Sequence, residues 1–158
     1  MICIVHAHPR PSVSRTHAAL NAAVGELDGV HIRSLYELYP DADIDVAAEQ
    51  QALGRAELVV LQYPLYWYGM PGLLKLWLDE VLTWGWAYGP HTHALRGKDC
   101  LWAVSADGSA HDFAPDGRHG APLAVYGQPL SQAARFCGMN WLEPFTVLAA
   151  RELDEAGL

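Results

Sequence analysis

The sequence predicts an α/β protein with a parallel sheet that is covered by helices on both faces. Three observations support this prediction: strand-like and helix-like runs alternate, several strand-like runs are apolar on both faces, and no linker or repeat interrupts the 158 residues. With 51% hydrophobic residues, a chain of this length can bury a sizeable core. We therefore expect residues 1–158 to form a single domain.

Five short runs have the length and composition of strands, and turn-forming or polar residues end them. The run "AELVVLQYP", for example, stops at Pro64, which has no backbone N–H to donate to a neighbouring strand. The predicted strands cover residues 1–7, 30–36, 56–64, 99–105 and 144–150.

The segments between the strands carry apolar residues three and four positions apart, which is the spacing of an amphipathic helix. In the first of them, Leu20, Val24 and Leu27 share one face, and Gly29 closes the helix. The predicted helices cover residues 14–27 and 45–55. Two further helices are predicted from an apolar stripe over residues 72–82 and an apolar face over residues 130–137.

Charge and composition exclude several classes of function. A net charge of -8 with scattered basic residues argues against a nucleic-acid surface and against binding to an anionic membrane. The N-terminal run has no basic leader, and no run of about 18 apolar residues predicts a transmembrane helix. The three cysteines are far apart and form no CxxC motif. This pattern is typical of a cytosolic protein, and we expect a cytoplasmic location.

Three loops follow predicted strands, at residues 6–17, 63–70 and 105–120. Ligands of parallel sheets bind beyond the carboxyl ends of the strands, so we expect the functional site at these loops. The first loop brings Ser14 and Thr16 to the start of a helix, where backbone amides and the helix dipole favour a phosphate. The alternative is that Ser14 only caps the helix.

The second loop is dense in aromatic residues, with Tyr66, Trp67 and Tyr68 in succession. Such a loop suits an isoalloxazine ring, because aromatic side chains can cover the ring while backbone groups hydrogen-bond to its polar edge. The alternative is that Trp67 and Tyr68 pack under a loop or at a dimer contact. The third loop contains glycines and His119, whose imidazole can stabilise developing negative charge, or can simply be solvated.

Two HxH pairs, His6 with His8 and His91 with His93, raise a metal site as an alternative. No acidic residue stands at a suitable spacing from either pair, so we expect no metal. The sequence also lacks the G-x-S-x-G motif of serine hydrolases.

The stretch "YPLYWYGMPGLLKLWLDEVLTWGWAYG", residues 63–89, resembles the flavodoxin-like NAD(P)H:quinone oxidoreductases. Within that family, "LYELYPDADIDVAAEQ" and "GWAYG" are similar to the ancillary quinone oxidoreductases of the glutathione-gated Kef potassium-efflux systems. The similarity extends from Met1 to about Pro144. It implies a flavodoxin-like, doubly wound parallel sheet of five strands in the order 2-1-3-4-5.

The resemblance also implies a function. A tightly bound flavin, FMN in the Kef-associated branch with FAD as the alternative, would take a hydride from NAD(P)H and reduce a quinone by two electrons. The protein would be a homodimer with its active sites at the subunit boundary. Three other interpretations stay open: a regulatory subunit on the cytosolic face of a potassium-efflux transporter, a flavodoxin-like electron carrier, and a protein that has lost its flavin.

The resemblance assigns site residues on all three loops. Contacts to the flavin phosphate fall on His8, Ser14, Arg15, Thr16 and His17. Contacts to the ring fall on Leu65, Tyr66, Trp67 and Tyr68. Contacts from the third loop fall on Ser105, Ala106, Asp107 and Gly108. His119 matches a catalytic histidine that steadies the reduced flavin or the substrate.

Four positions depart from the family pattern. His17 stands where members usually have Asn, and Asp107 stands in a loop that usually reads Thr-Thr-Gly-Gly. A carboxylate at Asp107 would disfavour a reduced, anionic flavin unless it turned outward. Phe113 replaces a Tyr, which removes one proton donor. The sequence ends in "RELDEAGL", where the family has a helix that covers the sheet, so we expect either a missing tail or another covering element.

Overall fold

The structure, a computed structural model, describes residues 1–91 and 94–153. Their strands form one parallel sheet in the order β2-β1-β3-β4-β5, with β6 also paired to β4. The strands are β1 (Ile2–His6), β2 (Val30–Ser34), β3 (Leu58–Pro64), β4 (Asp99–Ser105), β5 (Asn140–Trp141) and β6 (Phe145–Val147). This confirms the predicted strand order.

Helices occupy the connections between the strands, and they cover both faces of the sheet. They are α1 (Arg15–Gly25), α2 (Leu35–Leu38), α3 (Val46–Arg55), α4 (Gly72–Val81), α5 (Leu123–Tyr126) and α6 (Gln128–Phe136). No helix among residues 1–91 and 94–153 is both long and apolar enough to cross a membrane.

Alternate residues of β1, β3 and β4 enter two separate apolar clusters, as the pleat of a strand requires. On β1, Cys3 and Val5 join the large cluster, while Ile4 joins a small cluster with Val60 and Ala103 on the other face. Trp102 on β4 is fully buried in the large cluster. A Cβ added to Gly127, between α5 and α6, would lie 2.4 Å from the Trp102 ring, so glycine allows this close approach.

The predicted fifth strand at residues 144–150 is wrong in its extent, because the edge of the sheet is interrupted. Residues 140–141 and 145–147 pair with β4 as two short strands, which makes six strands rather than five. Trp141 pairs with Cys100 and Phe145 pairs with Ala103, so this edge holds one residue more than β4 over the same distance. Pro144 lies in the interruption and has no N–H for the ladder.

Two other predicted boundaries differ from the structure. Helix α1 ends at Gly25, and Leu27 lies beyond it with an exposed side chain. The predicted second strand, residues 30–36, ends at Ser34, where the chain turns into α2 and buries Leu35 completely.

A buried carboxylate fixes α4, the helix that follows the aromatic loop. Glu49 of α3 is fully buried and accepts hydrogen bonds from Arg33 of β2, from the Tyr39 hydroxyl at 2.6 Å and from Trp77 Nε1 of α4 at 3.0 Å. A buried charge needs both an opposite charge and hydrogen bonds, and Glu49 has both. This network holds β2, α3 and α4 in one arrangement.

Candidate functional site

A cavity of about 750 Å³ opens at the carboxyl edge of the sheet. Its volume lies within the range of about 300–1,000 Å³ that small-molecule sites usually have. It is bounded by the loops that follow β1, β3 and β4 and by the segment after β6. The cavity is lined by His8, Arg10, Val13, Ser14, Thr16, Pro64, Leu65, Tyr66, Trp67, Tyr68, Ser105, Ala106, Asp107, Gly108, Phe113, His119, Ala150 and Arg151.

The first loop presents the N-terminus of α1 to this cavity. Ser14 is the N-cap, and its Oγ accepts a hydrogen bond from the His17 amide at 3.2 Å. The capping role considered for Ser14 is therefore present. Ser14 and Thr16 also line the cavity, so the positive end of the helix dipole faces it. This end of the cavity suits a phosphate or another anion.

The second loop turns through two strained residues. Tyr66 and Gly69 exchange two backbone hydrogen bonds of 2.9 and 3.0 Å, and the φ angles of Trp67 and Tyr68 are 47° and 63°. Positive φ at both central residues defines a type I′ turn, which usually requires Gly or Asn. This turn directs the aromatic side chains toward the cavity and solvent. Trp67 is 95% exposed and lines the cavity, so it does not pack under a loop of this chain.

The third loop holds His119 among aromatic rings. Its imidazole stacks on Phe113 with ring centroids 4.4 Å apart, and its Nδ1 lies 3.3 Å from the Tyr68 hydroxyl. Tyr126 donates a hydrogen bond to the His119 carbonyl at 3.1 Å. A Cβ added to Gly108 would lie 2.9 Å from both His119 Nε2 and Phe113, so glycine allows these two side chains to pack closely against the backbone.

Three histidines, His6, His8 and His17, cluster at the two ends of the first loop. The ring centroid of His17 lies 5.4 Å from that of His6 and 5.2 Å from that of His8, and His17 Nε2 lies 2.9 Å from Ser105 Oγ. Burial, with a smaller effect from the neighbouring histidines, lowers the pKa of His17 to about 3. Burial likewise lowers the pKa of His6 to about 4 and lowers that of His8. All three are neutral at neutral pH.

Three charged residues that line the cavity belong to different segments. Arg10 lies on the first loop, Asp107 on the third, and Arg151 on the segment after β6. Arg151 Nε lies 2.9 Å from Asp107 Oδ2 in an exposed ion pair. The carboxylate of Asp107, which the sequence predicted to lie near the flavin ring, is therefore paired with the guanidinium of Arg151.

The structure brings most of the predicted site residues together. All of them line the cavity except Arg15 and His17. His17 is buried, and its Nε2 lies 2.9 Å from Ser105 Oγ, so its side chain does not line the cavity in this structure. The roles of all these residues stay predictions.

Sequence reasoning missed five cavity residues among those that the structure describes, and it named Phe113 only as a departure from the family pattern. The five are Arg10, Val13, Pro64, Ala150 and Arg151. The rule that found the first three loops could also have found Ala150 and Arg151, because they follow the last strand of the sheet.

A metal site finds no support in the described residues. Among residues 1–91 and 94–153, no group of three or more His, Cys, Asp or Glu side chains could hold a metal ion. His93, one half of the second HxH pair, lies outside the described residues.

Comparisons with known proteins agree with this geometry. A family described as flavodoxin-like fold matches residues 1–157. A glutathione-regulated potassium-efflux system ancillary protein KefF from Citrobacter koseri is 52% identical over 158 residues, which is 100% of this chain and 89% of that protein.

Solved structures are similar over nearly the whole chain. A general stress protein 14 in complex with FMN, from Treponema denticola, has 40% identity and a TM-score of 0.91, covering 96% of this chain and 90% of its own. An NADPH-quinone reductase from P. pentosaceus has 29% identity and a TM-score of 0.90, covering 99% and 89%. A thermophilic tryptophan halogenase from Streptomycin violaceusniger has 34% identity and a TM-score of 0.95, covering 100% and 91%.

The histidine cluster predicts how stability depends on pH. The unfolded chain protonates His6 and His17 below about pH 6.5, whereas the folded chain resists their protonation until about pH 4 and about pH 3, respectively. We expect the free energy of unfolding to fall between those values, by up to about 1.4 kcal/mol per pH unit for each histidine. Urea unfolding at pH 7, 6, 5 and 4.5 measures the slope.

His17→Asn should flatten this slope, and the matched change His31→Asn, at an exposed histidine of β2, should leave it unchanged. Equal slopes for the wild type and His17→Asn would show that His17 does not remain neutral through burial.

Proposed function

Since the chain belongs to the flavodoxin-like fold family, we propose that its cavity binds FMN and that the protein is an NAD(P)H:quinone oxidoreductase. One observation carries this proposal. A single cavity joins a helix N-terminus, which suits a phosphate, to a strained turn that displays three aromatic side chains, which suits a flat ring. A flavin mononucleotide has both of these parts.

The described residues fit this cofactor. Ser14, Thr16 and the start of α1 would hold the phosphate, and the aromatic turn at Tyr66–Tyr68 would hold the ring. Gly108 also lines the cavity, and its missing side chain lets His119 and Phe113 pack closely against the third loop. When bound, the flavin would supply the hydride chemistry that joins NAD(P)H to a quinone.

Similarity of fold alone does not choose the reaction, because the similar structures are described by different activities. The residues near His119 favour quinone reduction. An imidazole can donate a hydrogen bond to an oxygen that gains negative charge, which a quinone oxygen does as it is reduced. Phe113 packs on the imidazole and excludes water from one of its faces.

Two contacts of His119 support this role. The Tyr68 hydroxyl lies on its Nδ1 side, and Tyr126 holds its carbonyl, so the ring has little freedom to turn away from the cavity. We assign His119 the role of stabilising charge on the substrate or the ring rather than of anchoring the cofactor.

A second candidate function rests on a similarity that covers the whole of this chain. The KefF ancillary protein of Citrobacter koseri matches this chain from end to end. We propose that the protein also acts as a cytoplasmic ancillary subunit of a potassium-efflux system, as a homodimer. Co-purification with the transporter and a change in potassium efflux on gene deletion would support this role, and neither result depends on quinone turnover.

The visible absorption spectrum of the purified protein tests the main proposal. We expect a flavin spectrum that bleaches on anaerobic addition of NADH or NADPH and returns when a quinone is added. The same titration shows which nucleotide serves, and release of the cofactor distinguishes FMN from FAD. A protein that is colourless and cannot be reconstituted with either flavin would overturn the proposal and favour a fold that has lost the chemistry.

His119→Ala tests the assigned role of the histidine. We expect flavin content to be unchanged and quinone turnover to fall by about ten- to a hundredfold, because the lost group stabilises charge in the transition state. His111→Ala is the matched control, since His111 is exposed on the same loop and does not line the cavity. Loss of flavin with normal turnover per remaining flavin would make His119 a cofactor anchor.

A further inference from the structure

The ion pair between Asp107 and Arg151 joins two parts of the cavity wall that are far apart in the sequence. Asp107 follows β4, and Arg151 follows β6. The Arg151 Nε and Asp107 Oδ2 atoms are 2.9 Å apart, and both residues line the cavity. The pair is open to water: the side chain of Arg151 is 83% exposed and that of Asp107 is 58% exposed.

Backbone hydrogen bonds hold the segment that carries Arg151 against the third loop. The Ala149 amide donates to the Gly108 carbonyl at 2.9 Å, and the Ala150 amide donates to the Ala106 carbonyl at 3.1 Å. Ala149 has a positive φ of 51°, an uncommon conformation for alanine, which turns the chain at this point. Arg151 is therefore brought beside Asp107 by the fold and not only by the reach of its side chain.

The charge of the protein makes this pairing significant. The net charge is -8, so the protein as a whole repels anions. An unpaired carboxylate at Asp107 would add repulsion inside the cavity itself. With Arg151 in place, the charged side chains that line the cavity among residues 1–91 and 94–153, Arg10, Asp107 and Arg151, sum to a single positive charge.

We propose that Arg151 is a specificity-determining residue that cancels the charge of Asp107, so that the cavity accepts an anionic ligand of the flavin mononucleotide class. This inference rests on the proposed function, because FMN is the anionic ligand that the site fits. Arg151 acts through Asp107 and need not touch the ligand. An exposed ion pair contributes little to folding stability, so its effect belongs to ligand binding rather than to the fold.

A double-mutant cycle on the full chain tests the proposal. The flavin-free protein is titrated with FMN, and the quenching of flavin fluorescence gives the dissociation constant at low and at high salt. The variants are Arg151→Ala, Asp107→Asn and the two combined, with Arg151→Lys to keep the charge. Arg135→Ala is the matched control for loss of a positive charge, because Arg135 is exposed on α6 and does not line the cavity.

Arg151→Ala should bind FMN about five- to tenfold more weakly at low salt and should approach the wild type at high salt. Asp107→Asn should bind at least as tightly as the wild type. The combined variant should return to within about twofold of the wild type, because neither charge remains. Arg151→Lys and Arg135→Ala should both behave like the wild type.

Reduced FMN gives a second readout. It carries more negative charge than oxidised FMN, so Arg151→Ala should weaken its binding by the larger factor. The reduction potential of the bound flavin should then become more negative, a shift that a merely structural role for Arg151 would not produce.

Two results would overturn the inference. One is an Arg151→Ala variant that binds FMN as tightly as the wild type at low salt. The other is a combined variant as weak as Arg151→Ala, which would mean that Arg151 contacts the ligand directly. A wild-type protein that does not bind FMN at all would overturn the proposed function and this inference with it, and that result is distinguishable from the other two.

Discussion

The parallel pairing of β3 with β1 and with β4 is the constraint on which the site depends. In a parallel sheet all strands end at the same edge, so the loops that follow β1, β3 and β4 must meet there. The backbone enforces this closely: the Ala7 amide donates to the Gln62 carbonyl, and the Leu65 amide donates to the Ser105 carbonyl. The helix N-terminus, the aromatic turn and the third loop therefore face one cavity.

Beyond the sheet, the two sides of the site are stabilised by different kinds of interaction. At the two ends of the first loop, His6, His8 and His17 are buried and neutral, and His17 contacts Ser105, so no buried charge on these histidines needs a partner. At the open side lie Asp107 and Arg151, where water screens both charges until a ligand covers them. The buried Glu49 network, through Trp77, ties α4 to α3. The site thus has buried, uncharged side chains at the first loop and exposed, charged side chains at its open side.

The sequence allowed the site to be located because its signals were local. β4 has the predicted bounds, and Ser14 and Asp45 are the N-caps of α1 and α3. Features that depend on distant contacts could not be predicted in this way. No local rule places Trp67 and Tyr68 at positive φ, because neighbouring structure imposes that turn against their own preference. The partner of Asp107 lies beyond two further strands, and the burial of His17 depends on side chains of β1, β3 and β4 that surround its ring.

A crystal structure of the protein with FMN tests the central claim most directly, namely that the cavity at the carboxyl edge is a flavin site. The account predicts the phosphate at the N-terminus of α1, beside Ser14 and Thr16, and the ring against the turn at Tyr66–Tyr68. Density for the phosphate beside Arg151 instead, or for FMN bound outside this cavity, would contradict it.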